Sequence, residues 1–188
     1  MKRHPIVAAA LLGVVALAGV AVSQEKSKLV SGPQVGKEVP GPFHPLNVNG
    51  PKAGKKNCLY CEYGNAPVVM VFARESSPAV TNLIKKIDQC TVKHEKEELN
   101  SCVIFLNDAE ALPKQLKSLV EKEGIKTTVL AVDNRQGPED YKIAKDADVT
   151  VVVYTDRNVR ANRAFRRGEL NDRQIDQVLA DVRKMLAK

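Results

Sequence analysis

Residues 55–80, KKNCLYCEYGNAPVVMVFARESSPAV, hold the stretch that decides the fold. Val68 to Ala73 form a continuous apolar run between Pro67 and a polar loop, the pattern of a strand covered on both faces. Ser77 and Pro78 then read as an N-cap and a first helical residue. Val80, Leu83, Ile84, Ile87 and Cys90 follow at helical spacing and make one apolar stripe. A buried strand thus feeds an amphipathic helix.

Downstream of this pair the alternation repeats. Cys102 to Leu106 reads as a second buried strand. The next helix is expected over Ala111 to Glu123, with Leu112, Leu116, Leu119 and Val120 inward and Gly124 as its stop. Thr127 to Val132 is a third strand, and Pro138 to Ala144 a short helix around Tyr141 and Ile143. Val149 to Tyr154 is a fourth strand, turning through Asp156-Arg157-Asn158 into a hairpin partner, Val159 to Phe165. Asn171 caps a last helix with Ile175, Val178, Leu179, Val182 and Leu186 on one face. Strands alternating with helices and ending in a hairpin and a helix predict an α/β sandwich with a central mixed sheet.

Upstream the composition changes twice. Residues 31–54 carry five Gly and five Pro among 24 residues, a density that excludes a helix and most of a sheet. Val35, Val39, Phe43, Leu46 and Val48 lie among them, so this lead-in (residues 24–54) is expected to lie ordered over the core of the domain at 55–188. Before it, Lys2 and Arg3 precede an apolar or glycine run from Ile6 to Val22, and Ala21-Val22-Ser23 supplies small residues for cleavage. Residues 1–23 therefore read as a signal peptide and the protein as exported, periplasmic or secreted. Seventeen apolar residues are also the lower limit for a bilayer span, so an uncleaved anchor is the alternative.

Losing Lys2 and Arg3 lowers the formal net charge of +7 by two, and such a balance favours solubility without indicating nucleic acid. The five arginines in DRNVRANRAFRRGE, residues 156–169, read as the charged guard of an edge hairpin rather than an anion-binding surface. No Gly-rich phosphate loop, H-E-x-x-H or nucleophile elbow occurs, and no cofactor is expected. All four cysteines follow the signal segment, in a compartment that permits oxidation.

The order of elements resembles the thioredoxin-like superfamily in its extended, peroxiredoxin-like form. Val35-Gly36, Val39-Pro40, Phe43, Leu46 and Asn49-Gly50 look like the opening of peroxiredoxins and membrane-tethered periplasmic thioredoxins. The tail VTVVVYTDRNVRANRAFRRGEL, residues 149–170, is similar to their final hairpin and the glycine before the last helix. The resemblance implies a redox cysteine after the strand at Val68–Ala73, at the start of the next helix, where the helix dipole favours the thiolate. Here that place reads Arg74-Glu75-Ser76-Ser77-Pro78, without sulfur. The family's cis-proline should precede Thr150, where Val149 stands.

What remains for chemistry is Cys58-Leu59-Tyr60-Cys61, ahead of the strand. Extended residues three apart are about 10 Å apart, whereas a disulfide needs Cα atoms within about 7 Å, so this pair closes only if the backbone turns. Lys55 and Lys56 favour a thiolate nearby and Glu62 opposes it. No helix is expected behind the pair; in a redox reading Cys58, nearer the lysines, is the expected attacking thiol and Cys61 the resolving one, acting on an unknown protein thiol or disulfide. A purely structural disulfide, or a soft-metal clip helped by His44 or His94, remains open. Cys90 ends one helix and Cys102 begins the next strand, so they are the candidate structural disulfide. Their alternative is two buried free thiols.

Overall fold

Six residues of one apolar run serve two different cores. In the computed structural model, which describes residues 28–187, β2 (Val68–Ala73) is buried along its whole length. Val69, Val71 and Ala73 join one hydrophobic cluster, and Val68, Met70 and Phe72 join the other. Strand side chains alternate between faces, so only a strand covered on both sides can be apolar at every position. β3 (Asn100–Leu106) and β5 (Val149–Thr155) divide in the same way. The predicted signal segment lies outside the described residues.

The sheet has six strands in the order β1-β4-β3-β2-β5-β6, with β1 at Leu46–Asn47, β4 at Val129–Asp133 and β6 at Asn158–Phe165. β2, β3 and β4 are parallel, while β5 runs antiparallel to β2, β6 to β5, and β1 to β4. The mixed sheet is therefore present as expected. Helices α2 (Pro78–Lys93), α3 (Leu112–Glu123) and α4 (Asp172–Leu186) bury their apolar residues in the first cluster, on one face. Ser77 Oγ accepts from the Val80 N–H at 3.3 Å, and Asn171 caps α4 through the Gln174 N–H at 3.2 Å.

The other face is covered mostly by irregular chain. The lead-in contributes Val39 and Phe43, the crossover between β4 and β5 contributes Tyr141 and Ile143, and a five-residue helix, α1 (Leu59–Tyr63), contributes Leu59. Phe43, Phe72 and Tyr141 pack ring against ring, with centroids 4.9 to 6.0 Å apart. The Tyr141 hydroxyl donates to the Gly41 carbonyl at 2.8 Å. The lead-in first pairs with β6, through Gly36 N–H to Val159 O at 2.9 Å and Val39 N–H to Arg157 O at 2.8 Å. It then crosses the face and ends as β1 on β4. At Gly32, φ is +75° and an added Cβ would stand 3.0 Å from Thr150 Cγ2, so glycine permits both the turn and the approach.

Two expectations need correction. The strand expected at Thr127 starts at Val129, because the N–H groups of Lys126, Thr127 and Thr128 bend to the buried Asp88 carboxylate at 2.8 to 3.2 Å. The expected helix at Pro138–Ala144 is one 3₁₀ turn, Glu139–Tyr141, stopped by Lys142 at φ +52°.

Cys90 and Cys102 are both free thiols, not a disulfide. Cys90 packs against the helical face, while Cys102 alternates to the opposite cluster and Val103 faces the helices instead. Adjacent elements were the right neighbours, but strand alternation sends the second sulfur through the sheet.

Candidate functional site

The C-x-x-C pair lies on α1, against the face opposite the three long helices. Leu59 is 1 % exposed and anchors the helix in the second cluster. Cys58 is its N-cap, and its sulfur accepts from the Cys61 N–H at 3.1 Å. The backbone turn that a local disulfide requires is therefore a short helix, and Cys58 and Cys61 are bonded with Cα atoms 5.2 Å apart. The expectation that no helix stands behind this pair is corrected: a helix does, though it is one and a half turns long and precedes β2. Gly64 ends it at φ +56°, and Pro67 leads into the strand.

Around the pair, the buried Asn57 donates to Glu62 Oε2 at 2.6 Å and accepts from Lys52 Nζ at 3.1 Å, with Lys52 and Glu62 3.5 Å apart. This closes a small polar ring beside the disulfide. Lys52, rather than Lys55 or Lys56, makes the ion pair with Glu62. Across the turn of the β5–β6 hairpin, the Arg157 guanidinium stacks over the Tyr60 ring at 4.9 Å. The Asp156 N–H donates to the Asn65 carbonyl at 3.0 Å. Sequence reading named Cys58 and Cys61 and the lysines near them. It missed Asn57, Lys52, Tyr60 and Arg157, and nothing local could reveal a cation–π pair formed across nearly a hundred residues. Exposure also differs between the sulfurs: Cys58 is 8 % exposed and Cys61 lies open to solvent.

The other end of β2, about 17 Å away along the strand, is where the resemblance places a redox pair. It is occupied by Arg74, whose guanidinium donates to the carbonyls of Ala147 (2.9 Å), Arg135 (2.9 Å) and Ala144 (3.0 Å). Ser77 serves as a helix cap. Val149 continues β5 against Ala73, and no cis peptide occurs among the described residues.

Burial pushes the Cys102 thiol far up and the Cys90 thiol up, the latter against the pull of Arg183 and Lys93, so neither free cysteine is poised as a thiolate. Among the described residues, no group of three or more His, Cys, Asp or Glu side chains is placed to hold a metal ion. Four of the five hairpin arginines have partners within the fold. Besides Arg157 on Tyr60, Arg163 pairs with Asp181, Arg166 with Asp146 and Arg167 with Glu75. No helix among the described residues is long and apolar enough to cross a membrane.

No protein-family model matches this chain, and no curated protein matches it. Solved structures do. A Bacteroides thetaiotaomicron protein assigned as a protein disulfide isomerase shares 13 % identity over 85 % of this chain and 96 % of its own, with a TM-score of 0.63. Peroxidoxin BcpB from Mycobacterium tuberculosis shares 17 % over 82 % and 97 %, at 0.58. A Chlorobium tepidum protein assigned as the thiol:disulfide interchange protein DsbE shares 14 % over 82 % and 99 %, at 0.55. Identities this low carry the architecture alone. The chain has the thioredoxin-like fold.

Proposed function

We propose that this is an exported thiol–disulfide exchange protein whose working pair is Cys58–Cys61. The observation that carries the reading is a disulfide closed across a single helical turn, with Cys61 open to solvent and Leu59 of the same helix buried in the core. Exchange proceeds by thiolate attack on a disulfide sulfur, and reach is its first requirement. The N-terminal charge, apolar run and small-residue site support export. The test is the reduction potential of the pair, from mass mapping across a redox-buffer series. A value above about −300 mV fits exchange, and a pair still oxidised below it is an ordinary structural staple.

One observation favours a second reading, a binding or scaffold module without catalysis. Arg74 seals the end of the sheet where related proteins would hold sulfur. In that reading the disulfide only fixes the turn of α1, and its loss costs stability but no activity.

A further inference from the structure

We infer that Cys61, the second cysteine of the pair, is the sulfur a partner thiolate attacks, and that Cys58 is the leaving and resolving sulfur. The inference rests on the exchange reading above and reverses the order expected from sequence.

The helix sets the polarity. Successive helical residues are about 100° apart around the axis. Leu59 points into the core, so Cys61, two positions on, is turned about 200° from it and faces outward. Tyr63, four positions on, returns to pack against the same cluster. Cys58 precedes the first turn as its N-cap and is 8 % exposed, with Asn57 and Leu59 on either side of it in the chain also buried. Displacement at sulfur needs the nucleophile in line with the bond that breaks. A partner outside the protein finds that line at Cys61, with Cys58 behind it. The Cys61 N–H already donates to Cys58 Sγ at 3.1 Å, and a hydrogen bond of this kind strengthens when its acceptor becomes charged. The charge therefore arrives where a donor already waits.

In the first step the partner thiolate gives an electron pair to Cys61 Sγ. The Cys58–Cys61 bond breaks, and its electron pair leaves on Cys58 as a thiolate. The partner's own second thiolate then attacks the partner sulfur of the mixed disulfide and expels Cys61 as a thiolate. The partner has lost two electrons, and the protein holds two thiols. A partner with a single thiol is instead expelled when Cys58 attacks Cys61 and re-forms the original bond. The substrate class is therefore a polypeptide carrying two cysteine thiols.

The test uses the full chain with Cys90→Ala in the background, glutathione disulfide as probe and peptide mass mapping as readout. In Cys58→Ser, Cys61 should form the mixed disulfide about tenfold faster than Cys58 does in Cys61→Ser, since access governs the rate. Equal rates, or a faster Cys58, overturn the assignment. Because either serine variant could loosen α1, the intact disulfide is also mixed with a dithiol peptide and quenched in acid. The trapped peptide should sit on Cys61, and its recovery on Cys58 overturns the proposal. Failure of the exchange reading is seen separately, as a potential too low for exchange while the two rates keep their order.

Discussion

The two ends of β2 make opposite use of the same fold. At the Val68 end a five-residue helix holds a disulfide with Cys58 buried and Cys61 exposed, its one fully buried residue being Leu59. At the Ala73 end a sixteen-residue helix begins with a good cap and a proline, an environment able to favour a thiolate, yet no sulfur is present. Arg74 ties the crossover there with three charged hydrogen bonds. A long helix start is thus not sufficient for a redox site. Under the proposed reading, exposure and a local turn take its place at the other end.

The largest effect that would break this comparison is expected from Leu59→Ala. It removes the buried anchor of α1 and should cost about 3 kcal/mol, read from urea unfolding, because a cavity adds to the lost transfer energy. It should also narrow the difference in alkylation rate between Cys58 and Cys61 after reduction. A cost below about 1 kcal/mol would mean the disulfide, not the leucine, holds the helix.

Arg74→Ala comes next, with a loss of about 2 kcal/mol from charged hydrogen bonds to partly buried carbonyls. The reduction potential of Cys58–Cys61 should not move. A shift would couple the two ends and defeat their separation.

Asp88, at the Val68 end but on the helical face, makes a pH-dependent contribution. Burial pushes its carboxyl up, but N–H donors from Thr128, Thr127 and Lys126 and the Thr127 hydroxyl outweigh burial and hold it below the usual carboxylate range. Its stabilisation is therefore complete above the unfolded carboxyl pKa of about 4 and is lost as pH falls through the lower folded value. Asp88→Asn should cost about 1.5–2 kcal/mol at pH 7 and flatten the acid limb of a pH–stability curve. A limb of unchanged slope would remove Asp88 from the account.

The smallest effect is Arg157→Ala, about 0.5–1 kcal/mol for a partly exposed cation–π pair. Hydrogen exchange should rise at α1 and remain unchanged around Arg74. Equal change at both would show that the hairpin, not the Tyr60 contact, is the source.

Most of the sheet was legible because β2, β3 and β5 carry runs that only doubly covered strands tolerate, and α2 and α4 show clear stripes and caps. The missed elements are short. β1 has two residues and α1 has five, too few for a period to show, and α1 exists because Cys58 caps it and Leu59 anchors it. The Cys90–Cys102 pairing failed on side-chain direction, which element order does not encode. At the site, the pair itself was visible, but the exposures that rank its sulfurs depend on how α1 rolls against a core contributed by distant segments.

The lead-in has a consequence for the order of assembly. It lies along β6 at one edge of the sheet and pairs with β4 at the other, so one segment near the start of the chain clasps both margins. The Ser31 hydroxyl meets Thr150 from 119 residues away, and Gly36 and Val39 bond to Val159 and Arg157. Closing loops of that length is slow, and the β6 end of the clasp has nothing to grip until the last hairpin exists. A chain delivered N-terminus first must therefore keep this segment waiting until almost all of the protein has arrived. The β6 margin, a surface prone to pairing with other chains, is therefore the last to be sealed.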